Sequence, residues 1–254
     1  MPQDLLSIAE SPKMTMREQC RGRDAPAAAR HTGDYRVTCL DLEKLAATAL
    51  RRDPYDFFVV EEFVRPDALK PILADFPDVP GAGSHPPSEL DIRGHFKALM
   101  DELEGPAFRK LIETKFDLDL AAKPTMYTVR GFTREKDGSI HTDSTTKIVT
   151  VLLYLNEQWD KDGGRLRILR SGTDIGSHVA EVSPNGGTLL VFRRCDHSWH
   201  GHLPFDGRRR TIQMNWVTEQ SVVDHEQGRH RFSTRMKKLK QFFMPKASQA
   251  STAA

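Results

Sequence analysis

The chain has 254 residues, of which 28% are charged and 38% hydrophobic, and its formal net charge is only +2. This length suits one sizeable hydrophobic core, and so small a charge creates no global field that would attract nucleic acid. The sequence contains no run of the roughly 18 apolar residues that a membrane-spanning helix requires, so we expect neither a nucleic-acid nor a membrane partner.

The cysteines indicate the redox compartment. Cys20, Cys39 and Cys195 are odd in number and far apart, which is not the pattern of a disulfide framework, and no CxxC pair indicates structural zinc. The N-terminus also lacks the continuous apolar stretch of a secretory signal. We therefore expect unpaired thiols and a cytoplasmic location.

The first 120 residues carry mostly helical signals. Residues 1–35 are polar, rich in Ala, Arg and Pro, and show no period, so we expect a disordered or loosely attached segment. Residues 36–120 are interpreted as a helical support region with one early strand. The β-branched and aromatic run YDFFVVEEFV predicts that strand over residues 55–64.

Capping residues and prolines mark the helices of this support region. Asp41 can cap a first helix, since the leucines that follow it recur at helical spacing. Pro66 can open a second helix, because proline is favoured in the first turn. A third helical pattern spans residues 94–116 and is interrupted at Gly105 and Pro106.

Residues 121–218 have a different sequence pattern, in which short apolar runs alternate with turn sequences. Six runs predict strands: TMYTVRGF, KIVTVLLYL, RLRIL, HVAEV, GTLLVF and RTIQMNWV. Short strands at regular spacing predict a sandwich or barrel-like β domain. Residues 219–254 are interpreted as a C-terminal helix, over residues 233–243, and a disordered tail.

The HTD motif at residues 141–143 is the first sign of chemistry. Residues i and i+2 of a strand point to the same face, so His141 and Asp143 would project side by side from an extended segment. An imidazole and a carboxylate are two thirds of the facial triad that binds Fe(II) and leaves positions open. His197, His200 and His202 follow a later strand, and spacing alone does not choose the third ligand among them.

The RRR run at residues 208–210 begins the last predicted strand and can bind a carboxylate through the two-pronged arginine fork. Alternation places Arg209 on a polar face, as expected for a strand that lines a ligand-filled interior, and Arg210 on a mostly apolar face. On KIVTVLLYL, Tyr154 shares a face with Leu152 and can offer its hydroxyl either to a carboxylate or to the backbone.

Four segments together resemble the 2-oxoglutarate and Fe(II)-dependent dioxygenase superfamily, and within it the prolyl 4-hydroxylase-like branch. They are YDFFVVEEFVRPDALKPILADFP, HTD, IVTVLLYLNEQWDKDGGRLRI and GGTLLVFRRCDHSWHGHLPFDGRRRTIQMNW, within residues 55–217. The resemblance implies a double-stranded β-helix (jelly-roll) core over residues 121–218. The predicted fold class is therefore mainly β with flanking α-helices.

The resemblance also implies the reaction. It gives the metal role to His141, Asp143 and His200, because the Trp-His position is the family's distal ligand, and a 2-oxoglutarate role to Tyr154. Such enzymes use Fe(II), 2-oxoglutarate and O2, and ascorbate often sustains them. They release succinate and CO2 while hydroxylating an unactivated carbon, here of a prolyl or other residue in a peptide or of a small molecule.

The resemblance leaves two co-substrate contacts open. The family's cation often lies six residues before a Trp, which selects Arg210 and opposes the alternation, so Arg209 and Arg210 both stay candidates. The family often has a Tyr on the strand before His-x-Asp, and Arg130 could occupy that place here. The charged loop at residues 133–139 is a candidate for substrate recognition.

Two other classes of function fit the same residues less completely. Two His and a carboxylate also suit catalytic zinc, so a zinc-dependent hydrolase is one alternative, although it leaves the arginines and Tyr154 unused. A non-catalytic binding protein that keeps the β core is the other, although it has no use for converging metal ligands.

Overall fold

The computed structural model describes residues 38–225. The predictions for residues 1–35 and for the helix at 233–243 lie outside the described residues. The helices are α1 (Leu42–Ala47), α2 (Pro66–Ala74), α3 (Gly94–Leu103) and α4 (Pro106–Phe116). The strands are β1 (Phe57–Val60), β2 (Thr125–Thr133), β3 (Lys147–Tyr154), β4 (Leu166–Leu169), β5 (His178–Val182), β6 (Leu189–Arg193), β7 (His200–His202) and β8 (Gly207–Val217). Residues 220–225 are also helical.

The eight strands form two antiparallel sheets. The larger sheet has the order β1-β6-β3-β8-β2, and the smaller one has the order β5-β4-β7. The chain forms β1, β2 and β3 in the larger sheet and β4 and β5 in the smaller one, and then changes sheet at each of β6, β7 and β8. Two antiparallel sheets connected by such crossovers are the arrangement of a jelly roll. This arrangement confirms the predicted fold class, mainly β with flanking α-helices around a double-stranded β-helix core.

The sequence of β3 is an almost continuous apolar run because both faces of this strand are buried. Val149, Val151 and Leu153 belong to the large core cluster that includes the buried faces of the helices, while Leu152 and Tyr154 belong to a second cluster with strands of the smaller sheet. Both faces of β3 are therefore covered, one by helices and one by the opposite sheet, and alternation of apolar with polar residues is not needed.

The helices begin and end where local chemistry predicts. The Asp41 carboxylate accepts a hydrogen bond from the Lys44 backbone N–H at 2.9 Å, which caps α1. Helix α4 starts at Pro106 and ends at Asp117, whose φ of 52° is left-handed. The interruption predicted at Gly105 separates α3 from α4. No helix within residues 38–225 combines the length and the hydropathy that crossing a bilayer requires.

One strand prediction was wrong in extent, and one strand was not predicted. The strand expected over residues 55–64 is only β1, since a turn follows Val60 and Glu62 has a φ of 51°. Strand β7 was not predicted, because its sequence, HGH, has no β propensity. It forms because β4 offers a partner, with Ile168 opposite His200 and Leu166 opposite His202.

Candidate metal centre

Three side chains converge at one end of the space between the sheets. Ligand atoms of His141, Asp143 and His200 all lie within 4.8 Å of one another. Asp143 and His200 are buried, with 7% and 4% of their surface exposed, whereas His141 is exposed on the side of the opening. Two imidazoles and a carboxylate in this arrangement can hold a divalent metal ion and leave other positions open.

The predicted route to this convergence, alternation along a strand, was wrong. Residues 142–144 are not in a strand, and His141 forms only an isolated bridge to His200. In that bridge each backbone N–H donates to the other residue's carbonyl oxygen at 3.0 Å, and the two ring centroids are 4.4 Å apart. A single antiparallel pair therefore brings together two histidines that are distant in sequence.

Glycines permit this close approach. A Cβ on Gly201 would lie 2.9 Å from the carbonyl oxygen of Gly138 and 3.2 Å from the Cα of Ile140. Those distances are too short for any side chain. Strand β7 can therefore lie directly against the segment that leads to His141.

Both metal-site histidines present the same nitrogen to the centre. His141 Nδ1 donates to the Ser139 carbonyl at 2.8 Å, and His200 Nδ1 donates to the Ser198 carbonyl at 2.9 Å. Because a carbonyl can only accept, each Nδ1 carries the proton and each Nε2 keeps a free lone pair. Burial lowers the pKa of His200 to about 4, which keeps its ring in the neutral form that binds metals.

Asp143 is oriented by two direct neighbours and by a third residue that acts through one of them. Lys147 Nζ donates to its Oδ1 at 2.7 Å, and Thr150 Oγ1 donates to its Oδ2 at 2.5 Å. Asn215 Nδ2 in turn donates to Thr150 Oγ1 at 2.8 Å. Burial by itself would raise the pKa of Asp143, but the charge of Lys147 and these hydrogen bonds hold that pKa below its usual value. The carboxylate is therefore ionised and fixed in direction.

The metal centre opens on a cavity of about 80 Å³, which we name the first cavity. Its lining combines the three converging side chains with two arginines and several polar or apolar residues: Arg130, Asp137, Gly138, His141, Asp143, Thr150, Leu152, Leu166, His200, Gly201, His202, Arg209, Thr211 and Gln213. A guanidinium and a metal site therefore face the same small space. That combination suits an anionic molecule that also binds the metal.

The structure shows which of Arg209 and Arg210 faces the cavity, a choice that the sequence did not make. Arg209 is 6% exposed and lines the first cavity, where its Nε donates to the Gly164 carbonyl at 2.7 Å. Arg210 points to the opposite face of β8, and its guanidinium lies 4.8 Å from the centre of the Phe76 ring. Of these two arginines, Arg209 alone lines the first cavity.

Tyr154 lies behind Arg209 rather than on the cavity wall. Its side chain is fully buried, and Arg209 Nη2 donates to its hydroxyl at 3.4 Å. Burial raises the pKa of Tyr154, so the hydroxyl stays protonated. This geometry makes Tyr154 a support for the guanidinium.

Arg130 stands on β2 opposite Thr211 and also lines the first cavity. Its Nε is buried and has no hydrogen-bond partner among the described residues. Burial, together with the nearby charge of Arg209, lowers the pKa of Arg130. Two neighbouring guanidinium groups thus face one space, which favours an anion between them.

The other two histidines of the cluster have different environments. His197 is exposed in a turn, while His202 is buried and lines the first cavity outside the group of converging ligands. Sequence reasoning missed Lys147 and Asn215, which act on Asp143 directly and through Thr150. For Asn215 a signal existed, since it shares the polar face of Arg209 on β8. For Lys147 there was none.

Comparison with known proteins gives one sequence match and several structural likenesses. Residues 125–218 match the family model described as the 2OG-Fe(II) oxygenase superfamily. No curated protein matches this chain. Three solved structures, all of prolyl hydroxylases, are similar in fold at low sequence identity.

The first is a Pseudomonas putida prolyl-4-hydroxylase, which is 19% identical, with a TM-score of 0.43 over 70% of this chain and 93% of that chain. The second is from the prolyl 4-hydroxylases of Phytophthora capsici, at 17% identity and a TM-score of 0.49 over 72% and 67%. The third is the viral collagen prolyl hydroxylase of Paramecium Bursaria Chlorella virus-1 in a 2OG complex, at 12% identity and a TM-score of 0.46 over 64% and 96%.

Proposed function

The chain contains a domain of the 2OG-Fe(II) oxygenase superfamily at residues 125–218, and from that premise we propose which of its residues perform the reaction. The enzyme is a 2-oxoglutarate- and Fe(II)-dependent dioxygenase that consumes O2. His141, Asp143 and His200 bind the iron, and Arg209 binds the distal carboxylate of 2-oxoglutarate. The family match offers no support for the zinc hydrolase or for the non-catalytic binding protein.

One observation carries this proposal, namely that three convergent metal donors and a buried guanidinium line the same cavity. The donor set fits Fe(II), because two imidazoles with free Nε2 atoms and one ionised carboxylate form a facial triad. The guanidinium fits a dicarboxylate that reaches the metal with its other end. The metal donors alone would fit any small metal ligand, and the guanidinium alone would fit any carboxylate. Together they favour 2-oxoglutarate, which offers both groups.

Iron, 2-oxoglutarate and O2 together supply the oxidising chemistry, in which the co-substrate becomes succinate and CO2 and an unactivated carbon gains a hydroxyl group. The chain's own residues bind the metal and the co-substrate and hold them in a fixed orientation. Arg209 is held in place by the Gly164 carbonyl and the Tyr154 hydroxyl, so little side-chain entropy is lost when it binds a carboxylate. Leu152 and Leu166 line the same cavity and limit the access of water.

The test is an anaerobic titration of the protein with Fe(II) and 2-oxoglutarate, followed by visible absorption. We expect a weak charge-transfer band for the wild type and no band for His200→Ala. His197→Ala is the matched control, because His197 is exposed in the neighbouring turn, and it should behave as the wild type. An unchanged band in His200→Ala would count against the proposed ligand.

A competition between Fe(II) and Zn(II) distinguishes the proposed dioxygenase from the zinc hydrolase. Protein refolded with both Fe(II) and Zn(II) on offer should release succinate from 2-oxoglutarate only in the iron-loaded fraction. If the zinc-loaded fraction instead hydrolyses a test ester or amide and consumes no 2-oxoglutarate, the zinc hydrolase is favoured.

We also propose finer properties that rest on the sequence motifs. The Trp199-His200 pair, followed by the arginines of β8, supports placement in the prolyl 4-hydroxylase-like branch, with a peptide residue or a small molecule as the substrate. Ascorbate should sustain turnover. The odd, widely spaced cysteines support a cytoplasmic location, and the small net charge supports a protein without a nucleic-acid partner.

A further inference from the structure

A second cavity of about 360 Å³ lies beside the metal centre. It shares two lining residues, Arg130 and Gln213, with the first cavity, so the two spaces adjoin. It is lined mostly by polar side chains: Ser84, Met126, Thr128, Arg130, Ser144, Thr146, Lys147, Gln213, Asn215 and Val222. Because Lys147 Nζ is 2.7 Å from Asp143 Oδ1, a molecule in this space would lie next to the metal ligands.

The second cavity is lined mainly by cationic and neutral polar groups and by no acidic group among the described residues. Two cations and several hydroxyl and amide groups face it. Met126 and Val222 are the two apolar side chains of the lining. An uncharged, proline-rich peptide would leave these donors without partners, which is costly in a partly buried site.

The charges of the loaded enzyme indicate the sign of the substrate. The two charges of Fe(II) cancel those of 2-oxoglutarate, and the charge of Asp143 is compensated by Lys147, whose Nζ lies 2.7 Å from Asp143 Oδ1. The remaining carboxylate of the first cavity, Asp137, is paired with Arg134 at 3.0 Å. Two positive charges therefore remain, on Arg209 and Arg130. Arg130 lines the second cavity together with Lys147, whose ammonium has three N–H donors, one of which Asp143 accepts.

The segment between α2 and α3 forms part of the wall of this site. Its backbone pairs with the edge of β2, with Ala82 opposite Phe132 and His85 opposite Val129. That pairing places Ser84 on the wall of the second cavity, across from β8. A part of the loop at residues 81–92 therefore helps to form the site.

We propose that the second cavity binds the primary substrate and that this substrate is a small molecule with a free carboxylate, held by Lys147 and Arg130. The inference rests on the proposed function, since it needs Fe(II) and 2-oxoglutarate at the first cavity. The size agrees, because about 360 Å³ lies near the small end of the range, roughly 300–1,000 Å³, of small-molecule sites. The polar lining then satisfies the other groups of such a molecule.

The test compares acids with their own amides. Wild-type protein loaded with Ni(II), which blocks turnover, and 2-oxoglutarate is titrated calorimetrically with free L-amino acids and small hydroxy acids. Each compound is paired with its primary carboxamide, for example L-proline with L-prolinamide. We expect at least one acid to bind roughly tenfold or more tightly than its amide, because a charge-assisted hydrogen bond is lost in the amide.

Two substitutions at one position locate the binding site. Ser84→Glu adds a negative charge to the wall of the second cavity, and Ser84→Gln adds similar bulk without charge. Ser84 is not among the residues that line the first cavity. We expect Ser84→Glu to weaken the acid at least tenfold and Ser84→Gln to preserve the preference for acid over amide. Lys147→Met should also remove the preference, and Ser84 keeps the test independent of any effect of Lys147 on Asp143.

The outcomes are distinguishable from failure of the proposed function. If Fe(II) and 2-oxoglutarate give no charge-transfer band in the wild type, the proposed function fails and this inference fails with it. If the band forms but no acid in the panel binds, or amides bind as well as acids, only the present proposal is overturned. Equal binding of the acid by Ser84→Glu and Ser84→Gln would overturn it too.

Discussion

Replacing Arg209 by methionine should abolish most of the affinity for 2-oxoglutarate. A charge-assisted hydrogen bond contributes about 1.5–3 kcal/mol, so the loss of a two-pronged contact corresponds to about 10²- to 10⁴-fold weaker binding. Arg130 remains in the same cavity and still supplies a positive charge. We therefore expect a value near the lower end, about 10²-fold.

The adjacent residue offers the matched control. Arg210→Met removes the contact of a guanidinium with the Phe76 ring, which is worth about 0.5–1 kcal/mol, and changes nothing in the first cavity. Its backbone N–H still donates to Asn156 Oδ1 at 2.6 Å. We expect its affinity for 2-oxoglutarate to equal that of the wild type. Arg209→Lys should fall between the two variants, because lysine keeps the charge but not the fork.

The assay is an anaerobic titration of each Fe(II)-loaded variant with 2-oxoglutarate, read from the charge-transfer band. Thermal unfolding must accompany it, because Arg209→Met leaves the Gly164 carbonyl without its donor, at a cost of about 1–3 kcal/mol. Titrations are therefore made well below the melting temperature of each variant. The reasoning is refuted if Arg209→Met binds as the wild type does while Arg210→Met does not.

Three further predictions concern the metal centre, the core and the cysteines. Thr150→Val should weaken Fe(II) binding about 10- to 100-fold, measured by metal titration, because Asp143 loses a fixed neighbour; unchanged affinity would refute that role. Phe108→Ala should lower the free energy of unfolding in denaturant by about 3–5 kcal/mol, since the ring is fully buried, and a loss below 1 kcal/mol would contradict the packing. Burial raises the pKa of Cys39 to about 11, so its reactive thiolate forms only as the pH approaches that value. Peptide mass spectrometry after iodoacetamide treatment near pH 8 should therefore find half-buried Cys195 modified before Cys39, and the reverse order would contradict this reasoning.

Local patterns in the sequence predicted most of the architecture. The runs that became β2, β3 and β8 were recognisable because strand-forming residues lie next to turn residues, and both are short-range properties. The same was true of the cap at Asp41. Alternation along β8 also favoured Arg209 as the residue that faces the interior, since side-chain direction in a strand depends only on position along it.

The pairing of distant segments had to come from the tertiary structure. His141 and His200 lie 59 positions apart, and a backbone bridge between short segments without strand propensity brings their rings together. Spacing alone did not choose among the three downstream histidines; the family resemblance implied His200, and this pairing is what brings its ring to His141. Periodicity describes one segment at a time, whereas a metal centre is formed by contacts between segments, whose partners are chosen by the packing of the whole chain.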